Sequence, residues 1–196
     1  MTVLPAVLER MLTQWPKLHV QITEAVEDAL EAALTHNTID VAISGSMPES
    51  PEIMLVAEAR FTDRYSVIAA ADHPLQKKKA LSLRDVLHVP WVMPSEDAEP
   101  RRQFNALMHG LGAAPPRVVV ETRSVSVIKA MVAQTRYLGW LPEPLFATEQ
   151  QAGLIRALPL KELASQRRFF VYRRRRSVMP PPLLKFLEAL LPRDSR

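Results

Sequence analysis

Apolar residues along this chain recur at two spacings, and the changes between them predict alternating helices and strands. The first group recurs every three or four residues, which is typical of a helix with one buried face: Leu4, Val7, Leu8, Met11, Leu12 and Trp15. Pro16 is expected to end this helix, because proline lacks the backbone donor that a further turn needs. Polar and apolar residues then alternate over 19–24, which predicts a strand, and helical spacing returns over 28–35.

The rest of the chain continues this alternation. Asn37 follows the second helix, where a residue with left-handed backbone is expected. Strands are predicted at 39–43, 53–57, 65–70, 91–93, 118–121, 138–141 and 168–173, and helices at 102–111 and 125–134. This order predicts an α/β fold of two lobes, each a mainly parallel sheet flanked by helices.

Composition narrows the class of protein. The 196 residues are 47% hydrophobic and 23% charged, as in ordinary globular proteins, and the absence of cysteine excludes disulfides and thiolate metal sites. No apolar run approaches the roughly 18 residues of a membrane span, and the start lacks the pattern of a secretory signal. A cytoplasmic protein without membrane contact is therefore expected. Six of the 25 basic residues lie at 167–168 and 173–176; we interpret them as solvated surface, with a nucleic-acid patch as the alternative.

The sequence lacks the common catalytic and metal-binding motifs. There is no G-x-S-x-G, H-E-x-x-H, P-loop or G-x-G-x-x-G pattern, and the five histidines have no ligand-like spacing. Glu96, Asp97 and Glu99 are the one acidic cluster that could supply paired titratable groups, and they fall in a predicted loop. We therefore expect no catalytic residue, no metal and no cofactor.

Three segments, taken in order, resemble one protein family. They are the strand 39–43, the segment 64–75 with its Asp-His-Pro turn at His73, and the segment 132–142, which ends in Trp-Leu-Pro. Together they resemble the C-terminal effector-binding domain of LysR-type bacterial transcriptional regulators. The resemblance implies two Rossmann-like lobes, as in type 2 periplasmic binding proteins: lobe I at 1–70 plus 167–196, and lobe II at 71–166. It also implies that the sequence lacks the central strand of lobe I and the N-terminal winged helix-turn-helix.

The resemblance also implies which residues bind the effector. The pocket would draw on loops after two strands and on a serine turn before a helix: Ser44, Gly45, Ser46, Ser95, Ser124 and Val125. Independently, Ser124 suits a helix N-cap that accepts from the N–H of Ser126 or Val127, and helix N-termini favour small anions. A simple cap and solvated turns remain alternatives. Glu27 stands where the family often has Ser or Thr and would repel an anionic effector, whereas Arg101 and Arg102 are expected on a helix surface.

The function implied is effector sensing and oligomerisation. A small metabolite would bind between the two lobes, and helices 4–15 and 102–111 would pair the chain as a dimer or tetramer. DNA would be contacted only through the absent N-terminal domain. The alternative is a free-standing solute-binding protein of the same fold, which would need a secretion signal or a lipid anchor.

Overall fold

The structure is a computed structural model that describes residues 3–25, 27–47 and 50–191, without the side chains of Glu27 and Asp28. The helices and strands follow one another along the chain in this order: α1 (Val3–Gln14), α2 (Glu27–Thr35), β1 (Val41–Ser44), β2 (Ile53–Ala70), α3 (Leu83–Leu87), β3 (Trp91–Met93), α4 (Glu99–Gly110), β4 (Val118–Glu121), α5 (Val125–Gln134), β5 (Gly139–Pro142), α6 (Glu143–Gln151), β6 (Ile155–Ala157), β7 (Ser165–Arg174) and α7 (Pro181–Leu190). The predicted α/β class is confirmed.

The chain forms two compact units. The first unit comprises Met1–Thr62 and Arg167–Arg196, and the second comprises Asp63–Gln166. The chain therefore passes from one unit to the other twice. No helix among the described residues is long and apolar enough to span a membrane.

In the first unit, β7 lies between β1 and β2 in the sheet. β1 and β7 are antiparallel, with Ile43 opposite Val171. One core cluster is built around Leu34, Ile53 and Tyr172, and α1 packs against α7. The turn after α2 places Asn37 at φ 61°, which confirms the predicted left-handed residue.

The predicted strand at 19–24 is wrong. These residues have no regular structure, and the Ile22 side chain is 63% exposed. Alternation gives a segment the side-chain pattern of a strand, but a strand also needs a neighbour for its backbone groups. The first unit's sheet ends at β1, which pairs with β7 alone among the described strands, so residues 19–24 have no partner strand within the described part of the chain.

A single strand replaces the two predicted at 53–57 and 65–70. β2 runs unbroken over 18 residues. The polar stretch between the two predicted strands belongs to β2: Arg60, Thr62 and Arg64 lie on an exposed face while the residues between them are buried or half-buried. The polar residues are therefore the solvent side of a strand with a period of two.

The strand directions differ from the predicted mainly parallel sheets. In the second unit β2 is antiparallel to both β5 and β6, and β3 is parallel to β4. A parallel bridge also joins Trp91 to Leu138. Strands that return directly to the long strand β2 run opposite to it, so alternation of strands and helices along the chain did not predict their direction.

Aromatic rings fill one core of the second unit. Tyr65 and Trp140 stack with ring centroids 4.0 Å apart, and Phe104 of α4 packs edge-on with Trp140 and at a tilt against Trp91. Each indole also donates to a backbone carbonyl, Trp91 to that of Val86 and Trp140 to that of Leu163. This core fixes the positions of β3 and α4, which carry one side of the candidate site.

Candidate ligand-binding residues

The second unit brings two predicted serine loops to one edge of a sheet. β3 and β4 are parallel, with Met93 opposite Glu121, so their carboxyl ends lie side by side. The N–H of Thr122 donates to the carbonyl of Met93 at 3.0 Å, which extends the pairing past the strands. We call the two segments that follow, residues 94–99 and 121–125, the rim.

Ser124 caps α5 as predicted. Its hydroxyl accepts from the N–H of Val127 at 3.3 Å, and its own N–H donates to the hydroxyl of Thr122 at 3.1 Å. Val125 is half-buried and packs against the core that surrounds Ile128. The rim segment of β4 is therefore held by its own hydroxyl groups and by the core.

Arg123 connects the two segments of the rim. Its Nε donates to Ser95 Oγ at 3.2 Å, and its Nη2 forms an ion pair with the carboxylate of Asp97. A hydrogen bond from Ser95 and the charges of Arg123 and Arg102 lower the pKa of Asp97. Sequence reasoning missed Arg123, although its place between Thr122 and the N-cap Ser124 was a local signal.

Arg101 is buried, contrary to the expectation of a surface arginine. It is 5% exposed. Its Nη1 donates to the carbonyl of Pro94 at 3.3 Å and its Nε to Asn105 Oδ1 at 3.2 Å. The helical pattern did not reveal this, because the surface of α4 at this position is covered by the loop that precedes it. Arg102 is exposed, as expected, and pairs with Glu99 at 2.7 Å.

The predicted serines of the first unit form a separate loop after β1. Ser44 is buried, and its hydroxyl donates to the carbonyl of Ser46 at 3.1 Å. The following N–H, of Met47, donates to the hydroxyl of Tyr172 at 3.1 Å. A Cβ at Gly45 would meet only ordinary contacts, the nearest at 3.7 Å, so packing alone does not require glycine there.

Glu27 begins α2, but its side chain lies outside the described residues, so its predicted effect on an anionic effector stays a prediction. The described residues contain no group of three or more metal-ligating side chains. His73 belongs to a turn, as predicted: its Nδ1 accepts from the N–H of Leu75 at 3.2 Å. Burial lowers the pKa of His73.

Arginines of the basic run at 173–176 donate hydrogen bonds to backbone carbonyls of the first unit. Arg174 donates to the carbonyls of Leu34 and Ile39, at 2.9 and 2.8 Å, and so satisfies the carboxyl end of α2. Arg173 bonds to neighbouring carbonyls, and Arg175 and Arg176 are exposed. Arg173 and Arg174 thus make side-chain hydrogen bonds within the first unit.

Comparison with known proteins connects this geometry to one family. A family model described as the LysR substrate binding domain matches residues 1–195. A probable nitrogen assimilation transcriptional activator of Synechococcus elongatus is 25% identical over 184 residues, which are 93% of this chain and 59% of that protein. The regulator CysB of Burkholderia cenocepacia is 26% identical over 82% of this chain and 50% of its own length. The chain thus spans about half the length of these curated relatives.

Solved structures share the fold. The regulatory domain of CcmR from Synechocystis, in complex with 2-PG, superposes with a TM-score of 0.81 at 20% identity and covers 94% of this chain and 88% of that one. The effector binding domain of QuiR, in complex with shikimate, gives a TM-score of 0.75 at 15% identity over 95% of this chain and 88% of that one.

Proposed function

Since this chain belongs to the LysR substrate binding domain family, we propose that it is the effector-sensing domain of a bacterial transcriptional regulator. The match over residues 1–195 supports this role over that of a free-standing solute-binding protein. Binding would shift the populations of two arrangements of the regulator, because a ligand favours the arrangement that it binds more tightly. No bond would be made or broken, and we propose no catalytic role.

The arrangement of side chains at the rim is the observation that supports a ligand-binding role. Parallel pairing of β3 and β4 collects two hydroxyls and a guanidinium, those of Ser95, Ser124 and Arg123, at one edge. The carboxyl ends of parallel strands are a common place for ligands in α/β proteins. We propose that the rim, including Val125, contacts the effector. The roles of Ser44, Gly45, Ser46 and Glu27 rest on the family resemblance.

We further propose the wider setting of the domain. Lobe I would comprise 1–70 and 167–196, and lobe II 71–166. The chain would pair as a homodimer or tetramer through α1 and α4, where Leu12 and, just after α4, Leu111 are 42% and 41% exposed. DNA would be bound by a winged helix-turn-helix outside this sequence, in the cytoplasm, because the relatives named above include regulators of transcription.

A thermal-shift screen with light scattering tests this proposal. The compounds are shikimate, aromatic acids, amino acids and sugar acids. An effector at a hundred times its Kd should add about 2.7 kcal/mol to the free energy of unfolding, on a dimer or a larger assembly. Replacing Arg123 with Gln should weaken that gain.

Arg117→Gln is the matched control for Arg123→Gln. Arg117 is an exposed arginine that precedes β4, at the opposite end of the same strand, so its replacement should leave the gain unchanged. Absence of a concentration-dependent shift with every compound would contradict a sensing role for the chain.

A further inference from the structure

We propose that Arg123 binds an oxyanion of the ligand, a carboxylate or a phosphate, and that Asp97 occupies Arg123 as an internal counterion until the ligand displaces it. The inference rests on the proposed function, because the ligand in question is the effector. It narrows the effector to small molecules that carry at least one such group, and it identifies Asp97 as a determinant of affinity.

The guanidinium of Arg123 presents one edge to the loop of residues 94–99. The Nε of Arg123 donates to Ser95 Oγ at 3.2 Å, and its Nη2 forms an ion pair with the Asp97 carboxylate. These two N–H groups form the edge with which arginine binds a carboxylate or a phosphate through two parallel hydrogen bonds. Here the edge is shared between a hydroxyl and a carboxylate of one loop. The loop therefore fills the place that one oxyanion would fill.

Arg123 also lies at the positive end of α5. The residue directly precedes the N-cap Ser124 of this ten-residue helix. A cation beside the positive end of a helix dipole is unfavourable unless an anion accompanies it. Asp97 supplies that anion within the chain, and a ligand oxyanion would satisfy both the guanidinium and the helix end.

The loop of residues 94–99 is fixed at its base, whereas the Asp97 side chain at its tip is replaceable. The buried Arg101 holds the carbonyl of Pro94, and Arg102 binds Glu99 at the start of α4. By contrast, the side chains of Arg123 and Asp97 are 63% and 68% exposed. Exposed ion pairs are weak, so a ligand can replace Asp97 without disturbing the packing beneath the rim.

The charge of the rim favours replacement of Asp97 by a ligand anion over the binding of an additional anion. Its ionic side chains, with those at the start of α4, comprise three arginines and four carboxylates: Arg101, Arg102, Arg123, Glu96, Asp97, Glu99 and Glu121. An anion that entered while Asp97 stayed in place would add a negative charge to an excess of negative charge. Because the pKa of Asp97 is lowered, chiefly by its bond from Ser95, Asp97 stays ionised at neutral pH.

The test follows the side-chain Nε–H resonances of arginine by NMR in the full chain, with shikimate and inorganic phosphate as probes. Arg123→Gln identifies the resonance of Arg123. We expect the probes to bind Asp97→Asn about two- to fivefold more tightly than the unsubstituted chain, the range that loss of an exposed ion pair allows. Arg123→Gln should weaken binding at least about tenfold, and Arg117→Gln should leave it unchanged.

Ser95→Ala distinguishes the effect of the Asp97 charge from that of a looser loop at residues 94–99. It removes a tie between the loop and Arg123 but keeps the Asp97 carboxylate, so it should not tighten binding. Equal or weaker binding to Asp97→Asn would overturn the inference, as would binding that survives Arg123→Gln or the absence of binding by both probes. A compound from the thermal screen that binds Arg123→Gln with full affinity would support the proposed function and still refute this inference.

Discussion

Gly139 offers the sharpest test of how the second unit positions the rim. It lies in β5 opposite Ile68 of β2 and beneath α5. A methyl group at this position would lie 3.1 Å from Val132 Cγ2 and 3.3 Å from both Ile128 Cγ2 and Ile68 Cγ1. Ordinary contacts between such atoms begin near 3.4 Å. Gly139→Ala therefore inserts a methyl group where three side chains already meet.

The loss of stability expected for Gly139→Ala follows from the rigidity of these neighbours. Ile68, Ile128 and Val132 are fully buried and β-branched, so their χ1 angles have little freedom to turn away. The methyl can be accommodated only if α5 moves by a few tenths of an ångström. Overpacking of this kind costs about 1–3 kcal/mol, and each kcal/mol corresponds to roughly 2–4 °C in Tm for a chain of this length.

Urea denaturation followed by circular dichroism measures the loss, and Gly110→Ala is its matched control. A Cβ at Gly110 meets nothing within 4 Å, and the residue is the last of α4, so alanine there should be neutral or stabilising by up to about 1 kcal/mol. Gly139→Ala should also weaken effector binding, because α5 carries Ser124. A Gly139→Ala chain as stable as the unsubstituted one would refute the claim that α5 sits in tight contact with β5.

Three further predictions concern single side chains. Burial lowers the pKa of His73 below 6.5, so the free energy of unfolding should fall as pH drops below that value; His73→Asn, which can still cap the turn, should flatten this dependence in pH-resolved melts. Ser124→Ala should cost about 1 kcal/mol in urea melts, whereas Ser124→Asn keeps a capping oxygen and should not. Lys129 pairs with Glu149 at 2.7 Å, and the buried Glu149 Oε2 has no hydrogen-bond partner among the described residues. Lys129→Met should therefore lower the free energy of unfolding by about 1–3 kcal/mol. Adding Glu149→Leu should restore most of that loss. A double variant as unstable as Lys129→Met would contradict that pairing.

Local features were predictable from the sequence, because neighbouring residues determine them. The left-handed Asn37, the N-cap Ser124 and the turn at His73 all follow from side-chain chemistry within a few residues. Strands were harder, because a strand depends on its partner. The alternating segment 19–24 has no partner strand among the described residues. The polar face of β2 around Arg60 and Arg64 lies between the two strands predicted there, and burial shows that it is the solvent side of one strand.

The charged residues of the rim show why the site was only half predictable. Ser95 and Ser124 were candidates because the family resemblance implies them, and Ser124 also because it precedes a predicted helix. Arg123 has a local signal in its place before the N-cap, but its partners Ser95 and Asp97 lie 28 and 26 residues away in sequence, and only the parallel pairing of β3 and β4 brings them together. The acidic segment that looked like a solvated loop is the same segment that neutralises Arg123. If the ligand replaces Asp97, the Asp97 carboxylate and the ligand compete for Arg123. The affinity of the sensor for its ligand then depends on Asp97, a residue that lies beside the predicted contacts.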